Sequence, residues 1–196
     1  MRKKRDIGND CYVSIDCVDC PIEEPHPFDT VWSKRWFSPK FKGPGLRYEI
    51  AISILEGDIV WVNGPFPPGL YNDVQIFEEQ GLQSMLEKNE RVECDGIYIG
   101  CDPVYCKSNY GITHAQAGKE IRNRVRARHE TGNRRLKIFN YIRDRRSRHG
   151  ILKHGTMFKA CARIVQISIE EGDKLFEITN YSDAEFLKED MKRYKC

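Results

Sequence analysis

Cys11-Tyr12-Val13-Ser14-Ile15-Asp16 alternates apolar and polar side chains, the period-two pattern of a half-buried β-strand, and it ends on an acid. Tyr12, Ser14 and Asp16 then share one face of that strand. Arg91-Val92-Glu93-Cys94 is a second strand-like run, ending on Asp95. A third acid, Glu130, follows after 34 intervening residues, inside a long basic stretch that reads as a helix. The spacing predicts two aspartates at strand ends and a glutamate on a later helix.

Working outward, residues 21–45 are rich in Pro, Gly and aromatics, including Trp32, Trp36 and Phe37. So many large apolar groups predict an ordered excursion rather than a linker. The turn at 42–45 leads into an apolar strand over 46–55, and Glu56-Gly57-Asp58 turns it into a partner over 59–62. With the first strand these make a meander. Residues 63–69, with three prolines and two glycines, are expected to break the sheet. Asn72 or Asp73 is a candidate N-cap for a helix through Ile76, Phe77, Leu82 and Leu86, with a break at Gly81. After the 91–94 strand come a short fifth strand over 104–106 and a basic helix over 114–146. That helix is expected to bend or break near Gly132, and a last helix spans 156–171.

The element order is β-β-β-α-β-(β)-α-α. It is the order of an RNase H-like arrangement, an α/β fold with a mixed sheet of about five strands flanked by helices. The first and fourth strands of that arrangement lie side by side, so Asp16 and Asp95 would meet at their carboxyl ends, where open α/β sheets place their sites. One domain is expected over 11–178, with a basic tail at 1–10 and a charged tail at 179–196.

At 196 residues the chain can bury a substantial single core. No apolar run approaches the ~20 residues of a membrane span, and the basic first five residues lack the apolar segment of a secretory signal. The net charge of +3 hides an asymmetry. Residues 121–150 carry ten arginines and Lys137 against Glu130 and Asp144, a balance of +9 that leaves −6 for the rest. Such a concentration points to a polyanionic partner, whereas a merely solvated helix face usually alternates its signs. Eight cysteines without a secretory signal suggest free thiols. Cys17-x-x-Cys20 and Cys101-x4-Cys106 have spacings from which a structural zinc site is conceivable, although a zinc knuckle would crowd Asp16.

Clustered carboxylates repel one another unless a cation neutralises them. Mg²⁺ prefers hard oxygen ligands, and two such ions about 3.5–4 Å apart suit phosphodiester chemistry. Asp16 would bridge both, with Asp95 and Glu130 completing one each. On the helical face of Glu130 lie Arg126, Asn133, Arg134 and Lys137, candidates for contacts beside the scissile phosphate. Each acid has a plainer role open to it. Glu130 could relieve its arginine cluster, Asp95 could serve the turn at Gly96, and Asp16 could pair with a base. Asp19 and Asp73 are rivals for the first and second positions, Asp73 being explained also by capping. His129 packs or contacts phosphate.

Five segments in order resemble a known family. They are Ile15-Asp16-x-x-Asp19-Cys20-Pro21-Ile22, Phe41-Lys42-Gly43-Pro44-Gly45-Leu46-Arg47-Tyr48-Glu49, Val60-Trp61-Val62-Asn63-Gly64-Pro65-Phe66-Pro67, Cys94-Asp95-Gly96-x-Tyr98 and Arg126-Ala127-Arg128-His129-Glu130-Thr131-x-Asn133. Together they are similar to the PIF/Harbinger-type DDE transposases, of the DDE superfamily endonuclease group, over roughly residues 11–178. The resemblance implies Asp16, Asp95 and Glu130 as the metal-binding triad. It also implies Mg²⁺-dependent cleavage of double-stranded DNA (Mn²⁺ substituting, two ions per site), strand transfer by a 3′-hydroxyl, and a nuclear location. Arg126, Arg128, Asn133, Arg134 and Lys137 are then the expected DNA contacts. A separate Myb-like DNA-binding partner and a homo-oligomer fit the same picture; a membrane does not. The family usually carries Gly-Thr after the first aspartate, where Cys17-Val18 stand here. Relatives also carry a helical DNA-binding region ahead of the first strand. Ten residues precede it here, so the expectation is a catalytic core, with a DNA-binding protein lacking turnover as the alternative.

Overall fold

In the computed structural model, which describes residues 11–23, 34–86, 91–98, 101, 104–105, 116–144, 147 and 149–178, the opening alternation runs on past Asp16 as one long strand, β1 (Cys11–Pro21). The reason is its neighbour. β3 (Gly43–Ser53) pairs with β1 antiparallel from Val13↔Ser53 to Pro21↔Gly45, so Asp16 sits mid-strand opposite Ile50 rather than at a strand end. β2 (Phe37–Ser38) is a short clip on the start of β3.

β4 (Ile59–Phe66) continues through Asn63-Gly64-Pro65-Phe66, where a break was expected. It pairs with β3 alone, and an edge strand tolerates a proline because its free side needs no donor. Gly64 makes this possible: at φ 125° a Cβ would come 2.8 Å from the Arg47 carbonyl oxygen. β5 (Arg91–Glu93) pairs with β1 in parallel, Val13↔Val92 and Ser14↔Glu93, and β6 (Val104–Tyr105) pairs with β5 in parallel. The result is a mixed five-stranded sheet, β4-β3-β1-β5-β6, with β2 added at the start of β3.

Helices cover both faces. α1 (Asp73–Glu79) starts at a capping box in which Asn72 and Gln75 exchange side-chain and backbone bonds, and it ends before Gly81, where φ is 121°. A single 3₁₀ turn follows at Gln83–Met85. α2 (Gln116–Leu136) runs through Gly132 without the interruption that was one of the expected outcomes there. Glycine is there for a close approach, since a Cβ would lie 2.6 Å from Ile52 Cδ1. α3 (Asn140–Arg143) is one turn, and α4 (Ile151–Glu170) begins earlier than the expected residue 156. Gly155 lies inside α4 because Pro65 of β4 rests against it, 2.7 Å from where a Cβ would be.

The main core lies between the sheet and α2, α3 and α4: Val18, Cys20, Leu46, Tyr48, Ile50, Ile52, Leu136, Ile142, Phe158 and Val165. Tyr48 stacks on Phe158 with ring centroids 3.7 Å apart, and its hydroxyl bonds His154 Nδ1 at 2.7 Å. A second core, on the α1 side, gathers Val13, Ile15, Ala51, Phe77, Val92 and Tyr98. Each fully buried aliphatic or aromatic side chain contributes roughly 1.5–3 kcal/mol, so these two clusters fix which face β1 presents to each side from Val13 on. The expected tails at 1–10 and 179–196 lie outside the described residues, as do positions 114, 146 and Cys106. No helix among the described residues is long and apolar enough to cross a membrane.

Candidate metal and nucleic-acid site

The register places the acids. Ser14 pairs with Glu93, so two residues further along each chain Asp16 and Asp95 leave adjacent parallel strands in the same direction. α2 crosses the same face of β1: Ser14 Oγ lies 2.8 Å from His129 Nδ1, and Asn133 Nδ2 donates to Asp16 Oδ2 at 3.0 Å. Glu130, between His129 and Asn133, is thereby carried over the same edge. Asp16, Asp95 and Glu130 line one cleft of about 140 Å³ together with Ser14, Glu93, Arg126 and His129.

The three carboxylates differ in setting. Asp16 is part-buried, and its Oδ1 accepts the Cys17 N–H at 2.8 Å. Burial raises its pKa; the Lys40 ammonium opposes that most strongly, and the Asp95 charge adds to the rise. Asp95 is exposed, accepts the Gly96 N–H at 2.5 Å and is held by Arg126 Nη2 at 2.9 Å. Glu130 is exposed on α2. Among the described residues no three His, Cys, Asp or Glu side chains are gathered closely enough to hold a metal ion. The donor set nevertheless suits a hydrated divalent cation: carboxylate oxygens border the cleft, and both buried oxygens of Glu93 lack a hydrogen-bond donor. Burial lifts Glu93 to about 7 despite the pull of Arg122 and Arg126.

A second groove, about 360 Å³, shares Asp16 and Glu130 with the first and is lined further by Lys40, Phe41, Asn133, Arg134 and Lys137. The two form one trough, acidic at the Asp95 end and basic at the Lys40 end.

Of the expected DNA contacts, Arg134 and Lys137 are exposed and face this groove. Arg126 is turned onto Asp95 and the Cys94 carbonyl, and Asn133 orients Asp16. Arg128 is a correction. It is 2 % exposed and donates to the carbonyls of Ser53 and Ile54, closing the turn between β3 and β4. At i − 2 from Glu130 it points away from that face of the helix. His129 packs: full burial and the Arg128 charge depress it to about 3, so its imidazole is neutral.

The rival acids are engaged elsewhere. Asp19 takes a bidentate grip from Arg47 at 2.7 and 2.8 Å and a bond from Ser38 at 2.5 Å. Asp73 lies 2.8 Å from Arg47 Nη1, off the hydrogen-bond axis, so this contact is an ion pair. Cys17 packs on the α1 side of β1 and Cys20 on the α2 side, because residues three apart on a strand face opposite ways. The two thiols therefore do not make a chelating pair; both are free and buried.

Sequence reasoning missed Glu93 and Lys40. Glu93 was detectable, since period two puts it in phase with Asp95. Lys40, a single lysine in a turn, carries no periodic signal. Comparison with protein-family models, curated proteins and solved structures found no match to this chain.

Proposed function

We propose that the chain is a metal-dependent DNA endonuclease or transposase catalytic core of the PIF/Harbinger type on an RNase H-like fold, with Asp16, Asp95 and Glu130 as its metal-holding carboxylates. One observation carries the reading: acids from β1, from the turn after β5 and from α2 border one cleft whose continuation is lined by cations. Mg²⁺, or Mn²⁺ in its place, would activate the attacking oxygen and stabilise the leaving one. The residues here prepare for that. Asn133 and the Cys17 N–H fix the two oxygens of Asp16, while Asp95 is paired with Arg126, a contact an incoming cation would have to displace. Asp95 and Glu130 are exposed at the rim of the cleft, and Asp16, whose orientation is set, lies between the two grooves. Arg134 and Lys137 supply the phosphate-binding wall. Double-stranded DNA as substrate, a nuclear location, a Myb-like partner and self-association follow from the same reading.

A second reading is DNA binding without turnover, and the Arg126–Asp95 ion pair favours it, because that contact occupies one of the three acids. Supercoiled DNA incubated with the protein and Mg²⁺ or Mn²⁺, beside Asp95→Ala, separates the two. The enzymatic reading expects nicking that falls at least about a hundredfold in the variant. No nicking by the wild type, or equal nicking by both, sinks it. Tight DNA binding without nicking leaves the second reading standing.

A further inference from the structure

The turn at residues 39–42 is held with unusual care for a surface segment. Ser38, in β2, donates to the buried Asp19, and the Lys40 N–H returns to Ser38 Oγ at 3.2 Å. Asp19 is gripped by Arg47, which is 5 % exposed and reaches on to Asp73 at the start of α1. A buried acid–base network of this kind costs stability unless it is fully connected, and what it fixes is the position of the turn. The Phe41 ring packs where a Gly45 Cβ would stand, so a side chain at 45 would have to displace it.

The Lys40 ammonium is the outcome. Its Nζ donates to the Cys17 carbonyl at 2.7 Å, stands 3.9 Å from Asp73, and is the strongest positive influence on Asp16, yet the side chain remains 45 % exposed. Across the groove, Arg134 projects from α2 and Lys137 from the turn immediately after it. The groove therefore has cations on two walls contributed by different elements, next to the first metal-binding acid.

We propose that Lys40 is a phosphate-binding residue that, with Arg134 and Lys137, holds a DNA strand entering the trough from its basic end, one backbone step from Asp16. The assignment rests on the nucleic-acid reading above and adds a wall and a direction to it. An exposed helix face alone could bind a polyanion anywhere along its length. A lysine anchored to the β1 carbonyl beside Asp16 fixes the strand relative to the acids, and backbone contacts serve to position in this way.

A fluorescein-labelled DNA duplex titrated in EDTA, so that no cleavage intervenes, tests this by anisotropy across a range of KCl concentrations. Lys40→Gln is expected to weaken binding roughly three- to tenfold and to lower the salt slope by about one, as loss of a single phosphate contact does. Lys40→Arg should retain both, and Lys153→Gln, at an exposed position on α4, should bind as the wild type does. If Lys40→Gln melts early, Lys40→Met keeps the aliphatic stem and is expected to show the same loss. Wild-type affinity and slope in Lys40→Gln, with Arg134→Gln still weakened, would overturn the role of Lys40 alone. A wild type that binds no duplex overturns the nucleic-acid reading and this assignment with it.

Discussion

Glu49 shows how a buried residue reports on the whole fold. Its side chain is 0 % exposed; one oxygen accepts the Trp61 indole N–H at 2.8 Å and the other has no donor. Burial lifts its pKa from 4.5 to about 7. Between those values the folded state holds a proton that the unfolded chain has released, so this contribution to stability is complete below pH 4.5 and is lost as pH rises to about 7. His129 and His154, depressed by burial to about 3 and about 4, act with the opposite slope up to their unfolded value of 6.5. The wild-type profile therefore conceals the glutamate. Glu49→Gln removes the charge and keeps an acceptor for Trp61. Its stability relative to wild type should rise from near zero at pH 4.5 to a gain of about 1–3 kcal/mol at pH 8. Urea melts at both values check this; parallel pH profiles for the two proteins would refute it.

At the scale of elements, α1 is short, with seven residues and no basic residue in its last turn, so its start matters. Asn72 accepts the Gln75 N–H while Gln75 returns a bond to the Asn72 N–H. Asn72→Ala should cost about 1 kcal/mol, and Asn72→Ser should recover most of it, measured by chemical denaturation. An alanine variant as stable as the wild type would mean that tertiary packing alone defines the helix. This cap was legible in the sequence, as were the alternation of β1, the hairpin and the parallel fourth strand. What misled was local chemistry overruled by a neighbour. Pro65 survives in β4 because the strand is at an edge, and Gly132 and Gly155 sit inside helices because Ile52 and Pro65 press against them. That Asp16, Asp95 and Glu130 border one cleft was legible from the parallel pairing of their strands and from helix phase, although Asp16 lies mid-strand and not at the strand end the alternation suggested. Arg128 was not, because the Ser53 and Ile54 carbonyls it satisfies leave no mark in the pattern of side chains.

For the molecule as a whole, the +9 balance of residues 121–150 overstates the charge offered outward. Arg122 faces Glu93, Arg124 bonds the Glu177 carbonyl, Arg126 takes Asp95, and Arg135 takes Asp173. Much of α2 is thus fastened to the sheet edge and to the chain after α4, and among the described residues Arg134 and Lys137 line one groove with Lys40. The acidic end of the trough is correspondingly under tension, with Asp16 raised by burial and by the Asp95 charge. On the proposed reading, a divalent cation would relieve this repulsion, bind the folded state alone and stabilise it by linkage. At ten times its Kd the gain is about 1.4 kcal/mol, a rise of about 3–6 °C in Tm for a chain of this length. Mn²⁺ should therefore raise the wild-type Tm in a saturable way, with much weaker effects on Asp16→Asn and Asp95→Asn, whereas Asp173→Asn, remote from the cleft, should respond as the wild type does. Arg126→Gln sharpens the measurement, since removing the competing guanidinium frees Asp95 and should tighten Mn²⁺ binding several-fold. Equal shifts in all five proteins would show that the ion binds elsewhere, and the proposed role of the three acids as its ligands would fall.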